Sequence, residues 1–167
     1  VSIAVPLHNA SPLNLDRAPL EATVYDADGA VIAAGSYTLK RIRAGETTGV
    51  APHFTKTPAG AVAARIEVQV GEGHPVDDPP VGSLKFGQPS LVRGSRSVQA
   101  STIVTSTYQV DLEKVDLTAL ALDADGALIG GGTVHDRLIA ANSSHGEIIP
   151  IEVSGTPVRI EIYAQLP

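Results

Sequence analysis

The chain has 167 residues, 43% of them apolar, and a formal net charge of −6, with a pI of about 5.2. That apolar content builds a core and excludes a disordered chain, while the acidic balance excludes a nucleic-acid partner, whose phosphates it would repel. Cysteine is absent, which removes disulfides, thiolate nucleophiles and thiolate metal sites together, and no apolar run approaches the ~20 residues of a membrane span.

Methionine is missing even at position 1. We therefore expect a chain that has been cleaved or truncated, or that lacks an upstream part; removal of a signal peptide would produce this and would go with an extracellular or cell-envelope location. Residues 19–26 alternate loosely and run into Asp28-Gly29 and then the apolar stretch AVIAAG. A strand, a turn whose Asp and Gly accept positive φ, and a second strand make a hairpin. Lys40, Arg41 and Arg43 form the largest basic cluster, with Arg93 and Arg96 elsewhere; it reads as a solvated strand end. RIEVQV (65–70) alternates strictly, with Ile66, Val68 and Val70 on one side, as a half-buried strand does.

The segment GEGHPVDDPPVG (71–82) is rich in Gly, Pro and Asp and lacks apolar periodicity. We read 73–82 as a semi-stiff linker, with domain 1 over 1–72 and domain 2 over 83–167. The second domain opens on SLKFGQPSLVRGSRS (83–97), which holds one or two short strands. Residues 110–132 then repeat residues 13–35 without a gap at an offset of 97, and ten of these 23 positions are identical. The Asp-Gly hairpin recurs at Asp125-Gly126. Gly130-Gly131-Gly132 reads as a flexible strand end, and RIEIYA (159–164) alternates as RIEVQV does. Self-similarity of this kind marks duplication of one structural unit. The fold class is all-β, two tandem immunoglobulin-like sandwiches of six to seven strands each.

Val1 aligns with Val98, so domain 1 lacks the lead that residues 83–97 give domain 2. Its first strand is expected to be missing or to come from a partner, because an open sheet edge accepts an added strand.

The pattern carried by Val5, Leu7, Asn9, Pro12, Leu13 and Leu15 continues through Val24-Tyr25-Asp26-Ala27-Asp28-Gly29, Gly35 and Ala44-Gly45-Glu46-Thr47. It resembles the FxLYD and LEA14/WHy-type β-sandwich families, duplicated in tandem. Domain 2 keeps the Asp-Ala-Asp-Gly turn with Leu122 in place of the Tyr, and Ala22 stands where the FxLYD pattern has Phe. The resemblance covers most of domain 1. It implies a non-enzymatic module of exported or envelope proteins and brings no catalytic residue.

No catalytic, cofactor-binding or metal-ligating residue is assigned from the sequence. Asp26-x-Asp28-Gly29 and Asp123-x-Asp125-Gly126 open like a calcium loop, but Ala30 and Ala127 stand where its third ligand belongs, and Tyr37 and Val134 where its closing acid belongs. None of His8, His53, His74, His135 and His145 sits at a spacing expected to place two ligands on one strand face or helix face. His135 and Asp136 are adjacent, and adjacent strand residues point to opposite faces. Asp77-Asp78 lies in the linker. Nucleophile and phosphate-loop motifs are absent. The aromatic residues are Tyr25, Tyr37, Tyr108, Tyr163, Phe54 and Phe86, too few for a stacking platform for carbohydrate or single strands. Asn9-Ala-Ser11 and Asn142-Ser-Ser144 are glycosylation sequons.

Three functions follow. The first is a non-enzymatic exported module acting through protein–protein contact. The second is a structural subunit of a filament, sheath or virion, with domain 1 completed by a neighbour's strand. The third is an enzyme or metal carrier, which a polar pocket holding two histidines would favour.

Overall fold

Leu20, Ala22 and Val24 alternate with Pro19 and Glu21, and this pattern becomes β3 (Pro19–Tyr25), its apolar positions buried and its polar positions outward. A computed structural model describes residues 3–53, 58, 60–93 and 98–167 of the chain. Among them the secondary structure is all strand, and no helix is long and apolar enough to cross a membrane. Val1, Phe54 and residues 94–97 lie outside the described residues.

The first half holds β1 (Val5–His8), β2 (Asn14–Asp16), β3, β4 (Val31–Thr38), β5 (Thr47–Val50), β6 (Arg65–Val70) and β7 (His74–Val76). β4, β3 and β6 form one sheet in that order, β1 pairs β5, and β2 pairs β7. Ile3, Leu20, Val24, Leu39, Ile42 and Val50 close the core between these layers. Of the residues expected as a linker, His74–Val76 are therefore paired with Asn14–Asp16.

The second half holds β8 (Leu84–Phe86), β9 (Ser90–Arg93), β10 (Val98–Ser106), β11 (Leu112–Leu122), β12 (Leu128–Ile139), β13 (Ser144–Val153) and β14 (Arg159–Gln165). They make one sheet in the order β14-β11-β12-β13-β10-β8, with β9 also on β10. This sheet folds over itself around a second core that includes Val104, Val115, Leu117, Ile139 and Ile149.

The duplication extends to backbone detail. The β3–β4 register slips between Val24 and Tyr25, and the β11–β12 register slips at the matching Ala121 and Leu122. Arg17 and Lys114, 97 apart, both have positive φ, as do Gly45 and Asn142 and the turn glycines Gly29 and Gly126. Bulky residues seldom adopt that conformation, so its recurrence at equivalent positions argues for one ancestral hairpin frame. The two turns are closed alike. Asp26 Oδ1 accepts from the Asp28 and Ala30 amides, and Asp123 Oδ1 from those of Asp125 and Ala127.

Two expectations need correction. Gly130-Gly131-Gly132 is not a loose strand end. A Cβ at Gly132 would lie 1.9 Å from the Pro150 carbonyl oxygen and one at Gly130 2.0 Å from that of Glu152. The run lies where β12 and β13 approach, pairing at Gly130 and Gly131. Nor is β6 half-buried. It pairs with β3, yet it is exposed along its whole length.

The halves pack through β5. A Cβ at Gly49 would meet the Tyr163 ring at 2.7 Å and Leu120 at 3.0 Å. Glycine here lets the β5 backbone lie directly on the outer face of β11 and β14. From Val115 to Leu122 β11 is consequently buried on both faces, whereas its counterpart β3 alternates.

Candidate functional site

Among the described residues, one edge of β1 pairs with no strand, and an apolar groove lies beside it. The Ile3 amide donates to the Pro52 carbonyl and the Asn9 amide to that of Glu46, with Val5 opposite Val50 and Leu7 opposite Thr48 between them. In an antiparallel pair the residues in between direct their main-chain groups away from that partner. Ala4, Pro6 and His8 therefore present theirs to the other edge of β1, and no described strand pairs with it.

The second half shows what such an edge takes. There β8 pairs Phe86 with Val104 and Leu84 with Ser106, and β9 pairs Ser90 with Ser101 and Arg93 with Val98. Leu84, Phe86 and Leu91 pack on the core, as do Ile160, Ile162 and Ala164 of β14, and Leu84 and Phe86 line one cavity with Ile162 and Ala164. The β6 residues matching those three of β14, at an offset of 94, are Ile66, Val68 and Val70. They have no such cover and are 46%, 36% and 46% exposed. At one end of the gap Val70 lines a cavity of about 160 Å³ with Leu7, Leu39 and Ile42. At the other, Ile66 lines one of about 420 Å³ with Ile3, Ala4 and, from the second half, Ile129.

Pro6 has no amide to offer and so breaks a continuous ladder. Its counterpart is Ile103, which sits where β8 gives way to β9 and uses its carbonyl to accept from the Gly87 amide at 2.8 Å. Proline retains that function.

The outer face of β6 is polar. Tyr25 donates to Glu67 at 2.9 Å, Arg65 pairs with Glu67, and the Arg65 guanidinium lies 4.1 Å from the centre of the Tyr25 ring. The hydrogen bond to Glu67 raises the Tyr25 pKa, and the same bond lowers that of Glu67.

A polar node joins the halves. Asp116 is 2% exposed. Lys40 Nζ and His135 Nδ1 each lie 2.5 Å from its Oδ1, and the Tyr37 hydroxyl donates to Oδ2 at 3.0 Å. Burial first, then the Asp116 charge, holds the Tyr37 pKa well above its ordinary value. The cluster Lys40, Arg41 and Arg43 is thus no solvated strand end. Lys40 reaches Asp116, Arg43 donates to the Tyr108 hydroxyl at 2.5 Å, and the Arg41 amide donates to the Leu166 carbonyl at 3.2 Å. Sequence reasoning missed Asp116 because its partners lie 19 to 79 residues away. The signal available was its position on the outer face of an otherwise apolar strand.

The remaining candidates fall as follows. Asp26 and Asp123 spend carboxylate oxygens on their own turns. Asp78 accepts from Asn14 at 2.7 Å. Asn9, the first sequon residue, is buried and donates to the carbonyls of Leu13, Ile42 and Arg43. His8 meets Thr47 at 3.1 Å, and His53 lies 3.6 Å from Glu152 across the halves. His53 and His135 line one cavity of about 280 Å³ with Tyr37 and Thr133. His135 and Asp136 do point to opposite faces, His135 toward Asp116 and Asp136 toward His145. Among the described residues, three metal-ligating side chains converge at one place, Asp136, His145 and Glu147.

No protein family, no curated protein and no solved structure matches the chain.

Proposed function

We propose that the chain is a non-enzymatic tandem of immunoglobulin-like β-sandwich domains, exported or held at the cell envelope, that works by protein–protein contact. The contact is the addition of a strand to β1. One observation carries this reading: Ile66, Val68 and Val70 lie exposed beside an edge of β1 that no described strand pairs, while their counterparts in the second half pack on a core together with Leu84, Phe86 and Leu91. The partner's strand is extended and carries large apolar side chains at alternate positions, as Leu84 and Phe86 do. Main-chain hydrogen bonds supply affinity and the apolar positions supply register. The resemblance to FxLYD and LEA14/WHy-type domains supports a binding module and an exported location.

The same exposed groove favours a second reading, a structural subunit in which a neighbouring copy supplies the strand. Light scattering on a size-exclusion column across a concentration series separates the two. The leading reading expects a monomer of 17.2 kDa throughout. Oligomers that grow with concentration and are abolished by Val68→Asp would replace it with the second. Growth that persists in Val68→Asp would reject the groove in both.

A further inference from the structure

We propose that Asp136, His145 and Glu147 form a binding site for a first-row divalent cation of the zinc class. His145 Nε2 lies 3.0 Å from Asp136 Oδ2 and 3.6 Å from Glu147 Oε2, and the three ligating atoms lie within 4.8 Å of one another. Ligands about 2.0–2.2 Å from a tetrahedral zinc stand roughly 3.3–3.6 Å apart; the second distance falls at the upper end of that range and the first a few tenths of an ångström below it. One imidazole nitrogen faces two carboxylates. A single N–H satisfies one of them, whereas a divalent cation there is bound by all three groups and offsets both negative charges.

The duplication makes these residues conspicuous. β10–β13 and β1–β5 share one register: Val104 is opposite His145 as Leu7 is opposite Thr48, and Thr102 is opposite Glu147 as Val5 is opposite Val50. Asp136 is opposite Val115, and its counterpart Leu39 donates its amide to Ala18. The first half thus has Leu39, Thr48 and Val50 at these positions, 2%, 1% and 1% exposed. Three core positions of one copy are occupied by aspartate, histidine and glutamate in the other, and these three side chains converge. His145 and Glu147 continue the inward face of β13 that carries Ile149 and Ile151.

Their side chains are 32%, 15% and 22% exposed for His145, Asp136 and Glu147, so an ion can enter from solvent. Asp136 Oδ1 accepts from the Leu138 amide at 3.1 Å, which fixes the carboxylate and leaves Oδ2 to the ion. Three protein ligands leave one coordination position for water or for a group from a partner.

Calorimetric titration of the chelator-stripped chain with Zn²⁺ tests the proposal, with thermal melting as a second readout. The expected result is one ion per chain and a raised Tm, with binding weakened at least tenfold by His145→Ala and by Glu147→Gln. Asp136→Leu/His145→Thr/Glu147→Val installs the residues of the sibling half. It is expected to fold with an undiminished Tm and to lose the site. Absence of binding in the wild-type chain, or unchanged binding in the triple variant, would overturn the assignment. Loss of the ion on His53→Ala alone would place it in the other histidine-lined cavity and would overturn it equally.

Discussion

Asp116 and Pro19 occupy the same position of the repeated hairpin, and their surroundings decide their chemistry. Pro19 is exposed on an uncovered outer face. Asp116 is covered by the first half and is held by Lys40, His135 and Tyr37. Removing one partner of a buried charge pair leaves the other charge uncompensated. Asp116→Ala is therefore expected to cost about 3 kcal/mol, read from urea unfolding, with Asp116→Asn costing less because it keeps the acceptor for Tyr37. A change within error of zero would remove the node from the account of how the halves are joined.

The tyrosines around this junction give a pH signature. Burial pushes Tyr37 up, and burial followed by the hydrogen bond to Glu161 pushes Tyr163 up to about 12, from an ordinary 10.0. A raised acid pKa means that the folded state keeps its proton longer. The stabilisation is full below pH 10 and drains away as pH climbs toward the folded values. Tm is expected to fall between pH 10 and 12 more steeply for the wild type than for Tyr37→Phe. Parallel curves would contradict the assignment of that loss to Tyr37.

At the scale of the elements, much was legible because it is local. The Asp-Gly turns, the hairpins and the repeat follow from short-range chemistry, and the structure reproduces them down to the slip at Val24 and Ala121. The exposure of β6 was not legible, because alternation records which face is apolar and not what covers it. RIEVQV and RIEIYA read identically, yet only β14 is packed on a core. The expectation that no histidine shares a strand face with a second ligand is corrected by His145 and Glu147, alternate residues of β13, and Asp136 joins them only once β12 and β13 are placed. This contrast makes a paired prediction. Val68→Asp introduces a charge on a face already open to water and is expected to cost less than about 1 kcal/mol. The equivalent Ile162→Asp is expected to cost more than about 3 kcal/mol. Equal costs in a denaturant titration would mean that the two faces are covered alike.

At the scale of the whole molecule, four layers stack: the β4-β3-β6 sheet, the β1–β5 pair, the β14-β11-β12 leaf and the β13-β10-β8 leaf. Among the described residues β8 and β9 pair with β10 in the second half, and no described strand pairs with the matching edge of β1 in the first. Covering three half-exposed apolar side chains is worth roughly 3 kcal/mol. Each new main-chain hydrogen bond adds about 1 kcal/mol, against the cost of ordering the incoming strand.

The most direct test offers the first half what the second half already has. A peptide of the chain's own residues 83–93, SLKFGQPSLVR, is titrated into the intact chain and followed by calorimetry and by hydrogen exchange of residues 3–8. Saturable one-to-one binding is expected, with a Kd between about 1 μM and 1 mM, protection of the β1 edge, and loss of both in Val68→Asp. No protection at millimolar peptide, or binding untouched by Val68→Asp, would contradict it.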